Sequence, residues 1–277
     1  MIASLSEQFE GKIAIVTGGT QGLGAATAEL FAARGAAGLV ICGRSTTKGQ
    51  AAAASLSRDS CPAFFVRADL ADIADCRDVV ATAQSHFGRV DVLVNAAGAT
   101  DRGTIFDTTP KLFDKIFNVN VRGPFFLIQE AAKLMRSAKV HGTIVNVLSQ
   151  AAHGGQPFIS AYCASKGGLA TLTKNVAFAL LPYRIRVNGL AIGWMNSEGG
   201  DRTMRLYHGA KTGWQTEAAK TLPFGRLIEV AEVARAIAYL ASEESGLMTG
   251  SIVDFDQSVV GAHESQPPYP KTPADVY

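Results

Sequence analysis

The chain has 277 residues, of which 47% are hydrophobic and 18% charged, and its net charge is +2. That suffices for one large α/β domain with a sizeable core and excludes a disordered chain. Near-balanced charge with no run of Lys and Arg argues against a nucleic-acid face, and no uninterrupted apolar stretch approaches the length of a membrane span.

The opening residues MIASLSEQFEGK contain two glutamates and no apolar core, so no signal peptide is expected. Residues 12–17, KIAIVT, form the first candidate strand, followed by TGGTQGLG and a helical pattern over 23–34. In TGGTQGLG, Gly18, Gly22 and Gly24 allow a tight turn and let backbone approach a diphosphate at the amino end of the helix. A glycine pattern between a first strand and a first helix is a fairly specific dinucleotide signal.

A second strand, 38–42, ends at Arg44, with Lys48 following and no Asp or Glu between Glu29 and Asp59. A carboxylate there would hold the ribose 2′-hydroxyl of NAD, whereas arginine suits the 2′-phosphate of NADP. NADP(H) is therefore expected over NAD(H). Strands are also expected at 63–69, 90–95, 142–149, 185–191 and 250–255, and helices at 72–87, 111–136, 164–181 and 229–241. Most strands are continuously apolar, as in a sheet covered on both faces, and the alternation describes a doubly wound parallel (Rossmann) α/β sheet of about seven strands.

Two regions break the rhythm. Residues 195–226 are polar and glycine-containing, and read as an insertion over the carboxyl edge of the sheet. Residues 262–277 form a Pro-rich tail, which leaves 1–261 as the domain. Cys42, Cys61, Cys76 and Cys163 form no C-x-x-C pair, which suits reduced thiols in a cytoplasm, and no metal site is expected.

The segment SAYCASKGG places Tyr162 and Lys166 one helical turn apart on a shared face, among small neighbours that leave room for another molecule. A free phenol, with a pKa of about 10, is a poor base at neutral pH, and a nearby ammonium would lower that value. With NAAG (95–98), NVNVRG around Asn120, and Ser149 thirteen residues before Tyr162, the chain resembles a short-chain dehydrogenase/reductase over about residues 8–260.

The resemblance implies a catalytic set of Asn120, Ser149, Tyr162 and Lys166. Tyr162 would exchange a proton with an alcohol or carbonyl, Ser149 would hydrogen-bond the reacting oxygen, and Asn120 would hold a water linking Lys166 to solvent. It also implies cofactor contacts from Gly18, Thr20, Gln21, Gly22, Leu23 and Gly24, from Arg44, from Asp69 and Leu70, and from Asn95, Ala96 and Gly98. Tyr162, Lys166, Gly193 and Ser197 would complete that set. Ile192 stands where the family has proline, and Ser197 where it has threonine. Relatives of this kind form homotetramers through helices like 111–136 and 164–181, and Phe125, Phe126, Val176 and Phe178 exceed what the sheet needs.

Polar residues beside Trp194 and Trp214 suit a small polar substrate, a sugar, polyol or hydroxy acid, with Ser149, Gln150, His153 and Trp194 as candidate contacts. His153 reads more readily as a hydrogen-bonded structural residue than as a catalyst. Two alternatives stay open: a 3-oxoacyl-carrier-protein reductase, and a non-catalytic dinucleotide-sensing regulator. The second is disfavoured because such a protein would be expected to lose Tyr162 or Lys166.

Overall fold

The computed structural model describes residues 5–154 and 156–260, so the Pro-rich tail lies outside the described residues. The seven long strands are β1 (Ile13–Thr17), β2 (Gly38–Gly43), β3 (Ala63–Arg67), β4 (Val92–Asn95), β5 (Thr143–Ser149), β6 (Arg186–Ile192) and, numbered in chain order, β9 (Ile252–Phe255). They form one parallel sheet in the order β3-β2-β1-β4-β5-β6-β9. The direction of winding reverses between β1 and β4, and a ligand crevice opens at the carboxyl ends of strands at such a switch point.

Alternate residues of each strand feed opposite cores. Ala14 and Val16 of β1 pack towards Phe31 and Ile237, while Ile15 packs towards Val79, Leu127 and Met135. Covered on both faces, the inner strands have little polar side chain to show, which explains their continuous apolar runs. The flanking helices are α1 (Gly22–Ala33), α2 (Thr46–Leu56), α3 (Ile73–Phe87), α4 (Pro110–Phe117), α5 (Gly123–Ser137), α6 (Ser160–Leu180) and α9 (Val230–Ala241). Helix α2, capped by Ser45, joins the helices expected from the apolar pattern.

The expected helix 111–136 is broken by a π-helical turn at Asn118–Arg122. Pro124 lacks the N–H that would close an α-helical bond to the Asn120 carbonyl, so the chain widens by one residue and Gly123 N–H bonds Asn118 instead. Gly123 also has to be glycine for packing, because a Cβ there would lie 2.5 Å from the Leu70 carbonyl.

Helix α6 buries Ala161, Ser165, Leu169, Thr173 and Ala177, a stripe at spacing four, with Leu172, Val176 and Leu180 on its flank. Small residues let the helix approach the sheet closely, and Thr173 joins a buried polar chain. Asn95 Nδ2 donates to Asn146 Oδ1 at 2.8 Å, and Asn146 Nδ2 donates to Thr173 Oγ1 at 2.9 Å. Buried amides need such partners, so this chain ties β4, β5 and α6 into one register.

The polar insertion is ordered. It contains β7 (Met195–Asn196), α7 (Glu198–His208) and α8 (Trp214–Ala219), and β7 pairs with β8 (Ile228–Glu229) just beyond it. Helix α7 forms despite Gly199 and Gly200 because Ser197 caps it, Glu198 and Asp201 sit in its first turn, and Arg205 Nε donates to Asp201 at 2.7 Å.

Candidate active site

Ser149 ends β5, Tyr162 and Lys166 lie in the first two turns of α6, and Asn120 is in the π-helical turn. The fold therefore brings the four predicted catalytic residues to one region at the carboxyl edge of the sheet. Ser149 Oγ accepts from Ala151 N–H at 3.2 Å, and its hydroxyl lies close enough to Tyr162 to favour the phenolate. Burial pushes the Tyr162 phenol up, while the Ser149 hydrogen bond and then the charge of Arg102 act in the opposite direction.

Helix spacing alone points to Lys166 for that downward pull; the structure adds Ser149 and Arg102. Lys166 is 4% exposed, its Nζ donates to the Val147 carbonyl at 2.8 Å, and it stands 5.8 Å from the centre of the Tyr162 ring. Burial lowers its own pKa to about 8, so the ammonium that should acidify the phenol is itself short of solvation.

Asn120 is fully buried and its side chain is committed. Oδ1 accepts from Ala99 N–H at 2.8 Å, and Nδ2 donates to the Ala99 carbonyl and to Ser165 Oγ, both at 3.0 Å. The side chain thus clamps the loop after β4 to α6. Pro124 leaves its main-chain carbonyl without the N–H donor that an α-helix would supply.

Thr17, the first residue of TGGTQGLG, holds the same loop from β1: its Oγ1 accepts from Ala96 and Ala97 N–H at 3.0 and 3.1 Å. A side chain on Gly98 would face Asn120 Oδ1 and Lys166 Nζ, so this loop and α6 line one space. Asn95 supports it from below through Asn146, with its own Oδ1 buried. Gly193 packs against Asp256, and Ser197 accepts from Gly200 N–H at 3.1 Å as the cap of α7.

Of the residues singled out for substrate, Gln150 and His153 are engaged elsewhere. Gln150 Nε2 donates to the Ala191 carbonyl and to Asp254, both at 3.0 Å, and His153 Nε2 lies 3.1 Å from the same carboxylate. Trp194 is 39% exposed, with one face stacked on Trp214 at 5.5 Å. Trp214 Nε1 donates to Asp201 at 2.8 Å, fixing the stack to α7.

Residues 12–205 match the family model described as short chain dehydrogenase. The chain belongs to the short-chain dehydrogenase/reductase family. It is an oxidoreductase. Its relatives include galactitol 2-dehydrogenase of Agrobacterium fabrum, 30% identical over 253 residues that cover 90% of this chain and 97% of the relative. The NADP-dependent (R)-specific alcohol dehydrogenase of Lentilactobacillus kefiri is 33% identical over 255 residues, covering 89% and 96%. A solved structure described as a short chain dehydrogenase/reductase family protein superposes with a TM-score of 0.77 at 36% identity, covering 90% of this chain and 97% of that one.

Members of this family bind NAD(P)(H), and the glycine loop of this dehydrogenase fits a dinucleotide. Helix α1 starts at Gly22 with no side-chain cap from Gln21 and no acid in its first turn, so its N–H groups are left for an anion. Gly18 has φ +68°, and a Cβ on Gly24 would lie 2.3 Å from the Gly18 carbonyl oxygen, so neither position admits a side chain. Leu23 is buried beneath the loop, and Thr20 packs on Gly43. Arg44 is exposed at the end of β2, beside Lys48, whose Nζ donates to Gln21 at 3.2 Å. Beyond β3, Asp69 lines an open cavity of about 630 Å³ with Asp72, Asp75 and Arg122, and Leu70 is buried.

Sequence reasoning passed over Arg102, four residues beyond Gly98. A loop arginine is usually solvated, and only the closure of α7 over this loop draws it into the site.

Proposed function

We propose that this oxidoreductase transfers a hydride between NADP(H) and a small polyhydroxylated alcohol or its carbonyl form, a sugar or polyol. The observation that carries the reading is the Tyr162 phenol beside Ser149, one helical turn from a buried Lys166 on the same helix. Bound NADP(H) would supply the hydride donor or acceptor.

Tyr162 is the group that takes the proton from an alcohol or returns it to a carbonyl. Ser149 donates to the reacting oxygen as charge develops there. Lys166 holds a partly mobile proton near neutral pH, since its pKa lies near 8, and this suits a relay from Tyr162 outwards. Asn120 keeps the loop after β4 in place beside it. Arg44, Lys48, Thr20 and Gln21 would receive the 2′-phosphate, and the NADP-dependent relative supports that choice. The galactitol dehydrogenase relative and the tryptophan stack beside Asp201 support a hydroxylated substrate.

The reading extends to a cytoplasmic homotetramer whose single domain is 1–261. Exposed Phe178 and Phe125 on α6 and α5 support assembly, although Phe126 and Val176 are spent on the chain's own core. Four free thiols suit a reducing compartment. Turnover with NADP⁺ or NAD⁺ across a panel of polyols, sugars, decanol and a steroid alcohol tests the reading. Efficient NADP⁺-linked oxidation of a polyol or sugar is expected; better turnover of decanol or the steroid refutes it.

A further inference from the structure

The loop after β4 brings one guanidinium to the mouth of the site. Arg102 Nε donates to His208 Nε2 at 3.3 Å, and Nη1 donates to the Thr100 carbonyl at 3.0 Å. Its guanidinium carbon stands 5.7 Å from the centre of the Phe158 ring. The backbone holds this loop beside the start of α6: Gly103 N–H bonds the Phe158 carbonyl at 2.9 Å, and Ser160 N–H bonds the Gly103 carbonyl at 3.2 Å. From the other side α7 closes on it through Thr203 with Thr100 and Tyr207 with Asp101. The fork is thus aimed by two hydrogen bonds and an aromatic face, close enough to Tyr162 for its charge to bear on the phenol.

Its neighbours do not neutralise it. Asp101 is paired with Lys115 at 2.7 Å, and no carboxylate among the described residues forms an ion pair with Arg102. His208 must present an unprotonated Nε2 to accept from Arg102, in keeping with burial and the arginine's charge holding its pKa below the usual value. What remains is one net positive charge, half-buried, with Nη2 making no hydrogen bond among the described residues. Arginine presents a planar fork matched to carboxylate, and an unpaired half-buried charge is costly unless a ligand completes it.

We propose that Arg102 anchors a carboxylate on the substrate, so that the preferred alcohols are polyhydroxy acids rather than neutral polyols. The proposal rests on the polyhydroxylated reading of the site and narrows it. A single positive charge matches a carboxylate better than a doubly charged phosphate ester. Arg102 acts here as a binding residue that sets specificity, and Tyr162, Ser149 and Lys166 keep their tasks.

The test compares a six-carbon aldonate, its neutral amide, the corresponding hexitol and a hexitol phosphate, each with NADP⁺, on wild-type protein and on Arg102→Gln and Arg102→Lys. The readout is the ratio of kcat/KM for the acid to that for the amide, in which any effect of Arg102 on Tyr162 cancels. Wild type should favour the acid by about 10- to 100-fold, the worth of one charge-assisted pair, and Arg102→Gln should bring the ratio near one. Arg102→Lys should keep part of it, since the charge remains and the fork is lost. Calorimetric titration of the acid into NADP⁺-loaded protein should show the same ranking without turnover.

A wild-type preference for the amide or hexitol, a preference for the phosphate, or a ratio unchanged in Arg102→Gln would each overturn the carboxylate assignment and leave the polyhydroxylated reading standing. Turnover of decanol with none of the four compounds would overturn both.

Discussion

Lys166 should make the cofactor-free protein less stable than it need be, because function requires an ammonium where the fold offers little solvation. The group is 4% exposed, and burial takes its pKa from 10.5 to about 8. Between those two values the unfolded chain binds more protons than the folded one, so stability rises with pH there and the cost is fully present below about pH 8. Linkage puts that cost at about 3 kcal/mol at pH 7 and about 1 kcal/mol near pH 9.5. Lys166→Met removes it but also removes the donor to the Val147 carbonyl, which offsets about 1 kcal/mol. The offset does not depend on pH, so the change between the two pH values, about 2 kcal/mol, isolates the buried charge. Guanidinium unfolding of both cofactor-free proteins at pH 7 and near pH 9.5 measures it. The methionine variant should be the more stable at pH 7, lose about 2 kcal/mol of that advantage near pH 9.5, and have almost no turnover. A stability difference that stays constant across this range would refute the reasoning, since the ammonium would then be adequately solvated in the folded state.

Tyr162→Phe should abolish nearly all turnover while the cofactor binds with similar affinity, as read by steady-state kinetics and nucleotide fluorescence; near-normal activity would remove Tyr162 from the proton path. Arg44→Asp should raise the Kd for NADP⁺ by about 10- to 100-fold and improve NAD⁺ relative to it, because a charge-assisted phosphate contact is lost. A wild type that already prefers NAD⁺ tenfold would defeat that expectation. Trp194→Ala should raise KM more than it lowers kcat for a polyhydroxylated substrate, since stacking binds ground and transition states alike. Light scattering of the wild type at micromolar concentration should give a tetramer, and Phe178→Glu should shift it towards smaller species, because Phe178 is 78% exposed on α6. A wild-type monomer would contradict the assembly.

The strand-helix alternation, the glycine loop and the Ser149–Tyr162–Lys166 spacing were legible in the sequence because each is a local pattern. Continuous apolar runs demand a doubly covered sheet, a glycine pattern after β1 demands a turn, and two residues four apart on a helix share a face wherever the helix goes. The π-helical turn was written there too, in Gly123 and Pro124, but its effect shows only once the Asn120 carbonyl is followed to its missing donor. What faces Tyr162 was decided by tertiary closure. Arg102 reaches the site because α7, more than ninety residues later, docks on its loop through Thr203, Tyr207 and His208. Gln150 and His153 are drawn instead to Asp254 on β9, about a hundred residues away. Neither outcome has a local signal. A polar side chain in a loop carries the same sequence signature whether water, a carboxylate or a ligand satisfies it, and only the folded chain selects among them.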